Sequence, residues 1–403
     1  MVVLATLPQC ASAADRRPML ERTVQRWVQA QAPDGSLAYG FDFLSDRPAE
    51  PHDRPWAFVV RQAGWMYALA DYYAWTGDAR LREPTTRALD ALRRQSIPLG
   101  KARAADWLES TRILSLPFAR WKLTRALDGT GLLYRTDGPG KIVSPDGRYE
   151  TALTGATAVA LLAELAYARA SGDDAYADVR AAWLASLLSM RIPGRGFRDT
   201  PASIDESDFS NGEVWLALAI YADRFRDDAR VTQMLRDVDA TFMERYTRAP
   251  TIAFHHWGAM AAAQRWRTTG DVRFVDYLER QGDILVDRYV PRMVAGANNC
   301  TEVEGSAALL GTLDQAGRGG SATAQRVRRW LDAEEAVLPS LQIQPGQTSL
   351  GLGGDAALRA PRLAQFAGAF LMGRYDPSTR VDADMHCVFA LLLLERNAER
   401  AQK

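Results

Sequence analysis

The sequence lacks an excess of charge of either sign and contains few cysteines and histidines. Its 403 residues include 49 Lys and Arg against 49 Asp and Glu, with three Cys and four His. A chain without net positive charge lacks the electrostatic attraction on which most nucleic-acid binding depends. Three cysteines cannot build a disulfide framework or a paired-cysteine zinc site, and neither a His-Glu-x-x-His motif nor an Asp-rich calcium loop is present. We therefore expect no nucleic-acid partner, no metal and no other cofactor.

Long apolar runs are missing as well. Nowhere do eighteen apolar residues follow one another, which excludes a membrane-spanning helix in the body of the chain. A short apolar run at the start ends in Ala11-Ser12-Ala13, the small-x-small pattern that signal peptidase reads. Residues 1–13 are thus interpreted as the remnant of an export signal, which predicts a periplasmic or secreted protein, with a disordered tail as the alternative. Cys300 and Cys387 would remain, and whether they form a disulfide stays open at this point.

The sequence is rich in one repeated pattern, a glycine that opens an apolar helix. These glycines, at spacings of 91, 57, 46 and 47 residues, are Gly64, Gly155, Gly212, Gly258 and Gly305. The first spacing is close to twice the last, as if one degenerate unit lay between. A unit of about 46 residues has the length of a helical hairpin, two helices with their connections.

Several of the apolar helices run into a similar turn. Thr76-Gly77-Asp78, Ser171-Gly172-Asp173 and Thr269-Gly270-Asp271 place a glycine where a helix ends and an aspartate where the next one starts. The helix after each turn is amphipathic, whereas the helix before it is apolar all round and must be buried. Apolar helices inside and amphipathic helices outside, repeated about six times, predict an all-α (α/α)6 toroid that forms a single domain over residues 14–403.

The Gly-x-x-x-Ala-Leu-Ala inner helices followed by Thr-Gly-Asp turns resemble the six-hairpin, or (α/α)6-barrel, glycosidase superfamily. The resemblance covers roughly residues 55 to 397 and does not identify a member family. It implies a carbohydrate-active enzyme, since members include unsaturated glucuronyl hydrolases, cellulases, sugar epimerases and polysaccharide lyases. In such a toroid the segments that lead into the inner helices converge at one end of the barrel and form a funnel.

Polar and aromatic side chains are concentrated in these segments. Glycosidic cleavage needs one carboxylic acid and one carboxylate held about 5 to 10 Å apart. The candidate catalytic residues are Glu150, Asp208, Glu213, Glu302, Glu304 and His256. The candidate substrate-binding residues are Trp56, Arg61, Trp65, Tyr149, Asn211, His255, Trp257, Asn298, Asp384 and His386.

Structural interpretations compete with the catalytic ones. Ser210-Asn211-Gly212-Glu213 and Thr301-Glu302-Val303-Glu304 both fit the capping box, in which the glutamate only bonds the start of its own helix. Adjacent residues on a helix point about 100° apart, so at most one of His255 and His256 can line a site comfortably. A buried histidine can also be an ordinary core residue.

The favoured function is an exported glycoside hydrolase acting on a polysaccharide or an oligosaccharide through paired carboxylates. One alternative is a uronate lyase or sugar epimerase that uses His255 or His256 with Tyr149 as acid and base. Another is a non-catalytic glycan-binding protein of an envelope polysaccharide system. A glycan is the expected partner in each case, and the oligomeric state is left open.

Overall fold

The computed structural model describes residues 16–49, 57–99, 140–149, 151–201, 203, 205–351 and 356–402. The predicted signal remnant, residues 1–13, lies outside these ranges, as do the predicted site residues Trp56 and Glu150. In the described ranges, no helix is both long and apolar enough to cross a membrane.

Helices account for most of the described residues. They are α1 (Arg16–Ala30), α2 (Ala57–Thr76), α3 (Arg82–Arg94), α4 (Thr154–Ser171), α5 (Ala177–Ser189), α6 (Asp208–Arg224), α7 (Ala229–Arg248), α8 (Ile252–Thr269), α9 (Val272–Ile284), α10 (Cys300–Gln315), α11 (Ala322–Glu335), α12 (Leu338–Leu341) and α13 (Val381–Ala401). Short strands lie between them: β1 (Gly40–Asp42), β2 (Arg47–Ala49), β3 (Ser96–Pro98), β4 (Lys141–Val143), β5 (Ser349–Gly351), β6 (Ala357–Arg359), β7 (Leu371–Gly373) and β8 (Asp376–Arg380).

Contacts within the chain divide it into two compact units. Of the described residues, the first unit contains those within 16–30, 38–49 and 272–402, and the second contains those within 31–37 and 57–271. The first unit thus contains α1 and α9 to α13, and the second contains α2 to α8. The prediction of a single domain over residues 14–403 stays a prediction.

In the second unit, the apolar helices α2, α4, α6 and α8 pack side by side in that order. Helix α4 is typical of them, because every residue from Thr154 to Ala168 is buried. The intervening helices α3, α5 and α7 pack against this row, and α3 and α7 bury one face and expose the other to water. The predicted alternation of apolar and amphipathic helices is confirmed here.

The turns that follow α4 and α8 end these helices as the sequence predicts. Gly172 and Gly270 have φ values of 71° and 68°, the left-handed conformation that glycine adopts without a steric penalty. Asp78 and Asp228 in turn accept hydrogen bonds from the backbone N–H of Arg80 and Arg230, which caps the next helical segment.

The apolar helices begin earlier than the glycine pattern predicts. Gly64, Gly212 and Gly258 lie inside α2, α6 and α8 rather than at their first residues. Gly212 sits where two helices touch, since a Cβ built on it would lie 2.6 Å from the Cβ of Trp257 in α8. The polar segments expected to precede these helices therefore form their first turns.

In the first unit, α10 packs against α13, and α13 also contacts α1. A four-stranded antiparallel sheet of order β2-β1-β8-β7, which the helical pattern did not predict, lies in the same unit. Phe41 and Leu371 of this sheet join an apolar cluster with Ile343 and Leu363. A disulfide between Cys300 and Cys387 joins α10 to α13, which answers the question that the sequence left open.

Candidate active site

The first two turns of α6 carry the side chains of Phe209, Ser210 and Glu213. Ser207 caps the helix by accepting a hydrogen bond from the backbone N–H of Ser210, so that Asp208 is the first helical residue. Glu213 comes four positions after Phe209 and three after Ser210, so its side chain is next to both of theirs on the helix surface. Ser210 and Glu213 face the beginning of α4, where Gly155 leaves room for both side chains.

Glu213 and Ser210 both lie against Gly155. A Cβ built on Gly155 would lie 1.9 Å from Glu213 Oε2 and 3.1 Å from Ser210 Oγ, so only glycine admits both groups. The Ser210 hydroxyl donates a 3.0 Å hydrogen bond to Asp199 Oδ1. These distances keep one carboxyl oxygen of Asp199 within about 8 Å of one of Glu213, which is below the upper end of the range of about 5 to 10 Å for paired glycosidase carboxyls.

The environment of the Glu213 carboxyl favours its protonated form near neutral pH. Burial, with the nearby charge of Asp199 as a second cause, raises its pKa to about 8. The side chain is only 3% exposed. The capping interpretation of Glu213 is wrong, because Ser210 is already inside the helix and Ser207 serves as its cap.

Aromatic rings lie in the first turns of α6 and α8. Phe209 is 51% exposed although it is large and apolar. Its ring makes an edge contact with His256 of α8, with 6.3 Å between centroids, and His256 in turn lies 5.0 Å from the ring of Trp257. His255 and His256 are both buried in the first turns of α8. We call Gly155, Asp199, Phe209, Ser210, Glu213 and His256 the Glu213 cluster.

Asp208 and Asn211 point to a different set of partners. The Tyr246 hydroxyl donates a 2.7 Å hydrogen bond to Asp208 Oδ1, and Arg245 lies 3.7 Å from the same oxygen. The Asn211 side chain accepts from the backbone N–H of Phe197 and donates to the Tyr246 hydroxyl. Through these contacts both residues link α6 to α7, and Asn211 is fully buried.

Three further predicted binding residues lie on α2 and in the loop that precedes α4. Trp65 is fully buried in α2 and donates its indole N–H to Gln62 Oε1, the environment of a core residue. Arg61 is partly buried one turn earlier in the same helix. The Tyr149 hydroxyl donates to the carbonyl oxygen of Pro98.

The first unit holds a second group of ionisable side chains. His386 Nδ1 of α13 lies 2.8 Å from Glu304 Oε2 of α10. Burial would lower the pKa of His386, but the hydrogen bond and charge of Glu304 outweigh burial and raise it. Burial raises the pKa of Glu302 and Glu334. We call Glu302, Glu304, Glu334 and His386 the His386 cluster.

The capping interpretation of Glu304 is also wrong. Helix α10 begins at Cys300 with Asn299 in the cap position, so Thr301 cannot cap it. The Glu304 carboxylate faces His386 instead of its own helix start. Neither Glu213 nor Glu304 caps its own helix, and a catalytic role for each of them stays a prediction.

Asn298 and Asp384 act within the framework of the first unit. Asn298 accepts a hydrogen bond from the backbone N–H of Cys300 and donates one to the carbonyl oxygen of Leu371. Asp384 accepts from the backbone N–H of Phe370 and forms a 2.8 Å ion pair with Arg26. Their side chains hold loops and helices together, which differs from the substrate-binding role predicted for them.

Sequence reasoning missed Asp199, Phe209 and Glu334. Asp199 lies in a loop between α5 and α6 and reaches Ser210 only through tertiary folding. Phe209 has no polar group to mark it, and Glu334 lies near the end of the amphipathic helix α11, where a solvated glutamate is the ordinary expectation. Among the described residues, no three His, Cys, Asp or Glu side chains are grouped so as to hold a metal ion.

Comparisons with known proteins were made by sequence and by structure. No protein-family model matches the sequence, and no curated protein is significantly similar to it. Solved structures do match over nearly the whole chain. An unsaturated glucuronyl hydrolase specific for heparin has a TM-score of 0.55 at 12% identity, covering 97% of this chain and 99% of that one.

Two other solved structures are similar to the same extent. The GH76A alpha-1,6-mannanase from Salegentibacter sp. HEL1_6 has a TM-score of 0.58 at 8% identity, covering 96% and 99% of the two chains. A sugar epimerase from a ruminal bacterium has a TM-score of 0.56 at 11% identity, covering 94% and 98%. The chain has the (α/α)6-barrel fold. The fold class and the resemblance to the six-hairpin glycosidases are thereby confirmed as a likeness of fold, and an (α/α)6 barrel can carry either hydrolase or epimerase chemistry.

Proposed function

We propose that this (α/α)6-barrel protein is a carbohydrate-active enzyme, and specifically a glycoside hydrolase acting on a polysaccharide or on oligosaccharides derived from one. The observation that carries the proposal is the Glu213 cluster, in which a buried carboxyl with a pKa of about 8 lies near a second carboxyl and an exposed aromatic ring. That the structurally similar proteins process sugars supports the substrate class.

In the proposed reaction, Glu213 donates its proton to the glycosidic oxygen of the leaving group. A general acid must be protonated at the working pH, which a pKa of about 8 allows. Asp199 supplies the second carboxylate, as base toward water or as nucleophile, and Ser210 orients it by donating to Oδ1. The exposed ring of Phe209 provides a flat apolar face for the C–H groups of a pyranose ring.

The test is hydrolysis of mixed plant, fungal and bacterial polysaccharides and their oligosaccharides, measured as new reducing ends. Glu213→Gln and Asp199→Asn should each lower the turnover of any cleaved glycan by about 10²- to 10⁴-fold, the usual contribution of an acid or base. Glu244→Gln is a matched control, since Glu244 is an exposed glutamate of α7 paired with Arg248. Full activity in both folded variants would refute the proposed roles.

The His386 cluster favours a second function, epimerisation or isomerisation of a sugar. Such reactions move a proton on carbon, and an imidazole whose pKa is raised by a carboxylate partner is suited to that task near neutral pH. Incubation of reducing sugars in deuterated water would show deuterium on carbon without new reducing ends. His386→Asn should abolish that exchange, and a hydrolase that uses the Glu213 cluster would show none.

Export is part of the same proposal. The small-x-small pattern Ala11-Ser12-Ala13 and the disulfide between Cys300 and Cys387 both fit a protein that matures in an oxidising compartment. N-terminal sequencing of protein recovered from the expressing cell's exterior or periplasm should read from Ala14. Recovery of uncleaved protein from the cytosol alone would contradict it.

A further inference from the structure

A cavity of about 290 Å³ lies in the second unit, away from the Glu213 cluster. Its walls come from the C-terminal halves of α2, α4 and α6, whereas the cluster lies at the N-terminal ends of α4, α6 and α8. Along α4, the wall residue Ala166 is eleven positions after Gly155, which is about 16 Å at the usual helical rise. The cavity is therefore a separate place in the fold.

The cavity combines apolar walls with polar groups of both signs. Leu162, Leu165 and Ile220 supply apolar surface. Its charged members are Asp71, Arg169, Asp223 and Arg224, and Tyr67 adds an aromatic side chain. Ligand pockets are typically built in this way, with an apolar lining and a few polar groups that fix orientation.

Two guanidinium groups in the wall have hydrogen-bonding capacity to spare. Arg169 forms an ion pair with Asp71 through one nitrogen at 2.8 Å, and its side chain is otherwise largely exposed. The Arg224 guanidinium lies 3.5 Å from the carbonyl oxygen of Leu165 and 3.7 Å from Asp174, and it also lies over the ring of Phe225 at 5.5 Å from the ring centroid. A guanidinium carries five N–H donors, which is more than the contacts described here use.

The charge balance around the cavity argues against a charged ligand. Arg169 and Arg224 are opposed by Asp71 and Asp223 in the wall itself. Behind the wall, Arg180 is shared between the buried Glu164 and Asp174, and Glu164 also interacts with the charge of Arg224. An anion would add to these carboxylates and to the negative C-terminal ends of the helices, and a cation would meet the two arginines.

We propose that this cavity, lined by Tyr67, Asp71, Arg169 and Arg224, binds a neutral monosaccharide. Hydroxyl groups accept from guanidinium nitrogens and donate to carboxylate oxygens, so a neutral polyol uses both kinds of group without a net charge. The volume lies at the small end of the range of about 300 to 1,000 Å³ for ligand pockets, which fits one sugar ring rather than a chain. The assignment does not depend on hydrolysis at the Glu213 cluster.

The experiment is calorimetric titration of the full chain with D-glucose, D-mannose and D-galactose, and with D-glucuronate and D-glucosamine as charged probes. At least one neutral hexose should bind, and both charged analogues should bind more weakly. Arg224→Gln and Asp71→Asn should each weaken that binding at least tenfold. Phe209→Ala, which alters the Glu213 cluster, should leave it unchanged.

Three outcomes would overturn the assignment. These outcomes are no binding of any neutral hexose, stronger binding of glucuronate or glucosamine, or loss of binding in Phe209→Ala with retention in both Arg224→Gln and Asp71→Asn. Thermal unfolding of each variant shows whether it is folded, and Arg224→Gln offers a second route should Asp71→Asn fail to fold. Hydrolysis is measured separately, as new reducing ends. An absence of hydrolysis would therefore not change the interpretation of the binding titration.

Discussion

Glu213 keeps its proton because its carboxyl is buried and because Asp199 places a negative charge nearby. A free glutamate would have lost that proton well below neutral pH. The same residue type serves elsewhere in this chain as the partner of an arginine, as Glu206 does with Arg195 and Arg245. The environment, and not the residue type, thus distinguishes the candidate acid from a glutamate that is held in ion pairs.

The pH dependence of activity should report this environment. Because the acid must be protonated, kcat/KM should fall as the pH rises through about 8, the pKa of Glu213. A pH–rate profile on any cleaved glycan measures this limb. In Glu213→Gln the kcat/KM of the residual activity should no longer fall as the pH rises through about 8, whereas in Glu244→Gln it should fall as in the wild type. An unchanged limb in Glu213→Gln would assign the titration to another group.

Gly155 is the residue that makes room for the cluster, and Gly155→Ala tests that role. The added methyl group would lie 1.9 Å from Glu213 Oε2, so the carboxyl must move. We expect kcat to fall at least tenfold while the fold survives, since a displaced acid loses its alignment with the reacting oxygen. Gly320→Ala is the control, because a Cβ there would meet no atom within 4 Å. Equal loss in both variants would contradict the argument.

At the scale of helices and strands, the sequence pattern predicted how elements alternate better than where they begin. The apolar helices and their glycine-ended turns follow from local chemistry, as at Gly172 and Gly270. The starts of α6 and α10 were misplaced because Ser207 and Asn299 lie before the residues that matched the capping pattern. The small sheet of β1, β2, β7 and β8 pairs residues about 340 positions apart, which no local periodicity reveals.

The candidate site was predictable only in part for the same reason. Glu213, Glu304 and His386 stand in helices whose pattern marked them, and tertiary contacts then joined each to a partner. Asp199 pairs with Ser210 from a loop, so its role depends on a path of the chain that the sequence does not display. Asn211 and Asp384 matched the pattern for a site residue but satisfy backbone groups instead.

The disulfide joins α10 to α13 beside the His386 cluster. Cys300 lies one turn before Glu304 on α10, and Cys387 follows His386 on α13, so the bond and the Glu304–His386 contact are neighbouring links between the same helices. The two cysteines are 87 residues apart in sequence. Closing a loop of this length restricts the unfolded chain and stabilises the folded one.

We expect the double variant Cys300→Ala with Cys387→Ala to lose about 2–5 kcal/mol of unfolding free energy, the usual effect of removing such a bond. Urea denaturation of the oxidised protein measures the difference. Wild-type protein treated with a reductant should unfold at the same urea concentration as the variant, and the variant should not respond to the reductant. Equal stability of oxidised and reduced wild type would contradict the prediction.

For the molecule as a whole, several buried carboxyls shift stability in the same direction. Burial raises the pKa of Glu213 to about 8 and that of Glu164 to about 7, and it also raises the pKa of Glu302 and Glu304. Between the unfolded pKa and the folded one, the folded state binds more protons than the unfolded state. Stability must then fall as the pH rises through that window.

Glu213→Gln isolates one contribution to this trend. For Glu213 the window runs from 4.5, its ordinary value, to about 8. At pH 4 the carboxyl is protonated in both states, so the variant and the wild type should show the same pH trend there. At pH 9 the wild type must keep a buried charge, so the free energy of unfolding of the variant relative to the wild type should be about 4–5 kcal/mol higher than at pH 4, because each unit of pKa shift corresponds to about 1.4 kcal/mol. Urea unfolding at a series of pH values, with Glu244→Gln as the exposed control, provides the measurement. Parallel curves for Glu213→Gln and wild type across this window would show that Glu213 is already ionised in the folded protein, which would remove the basis for its role as the acid.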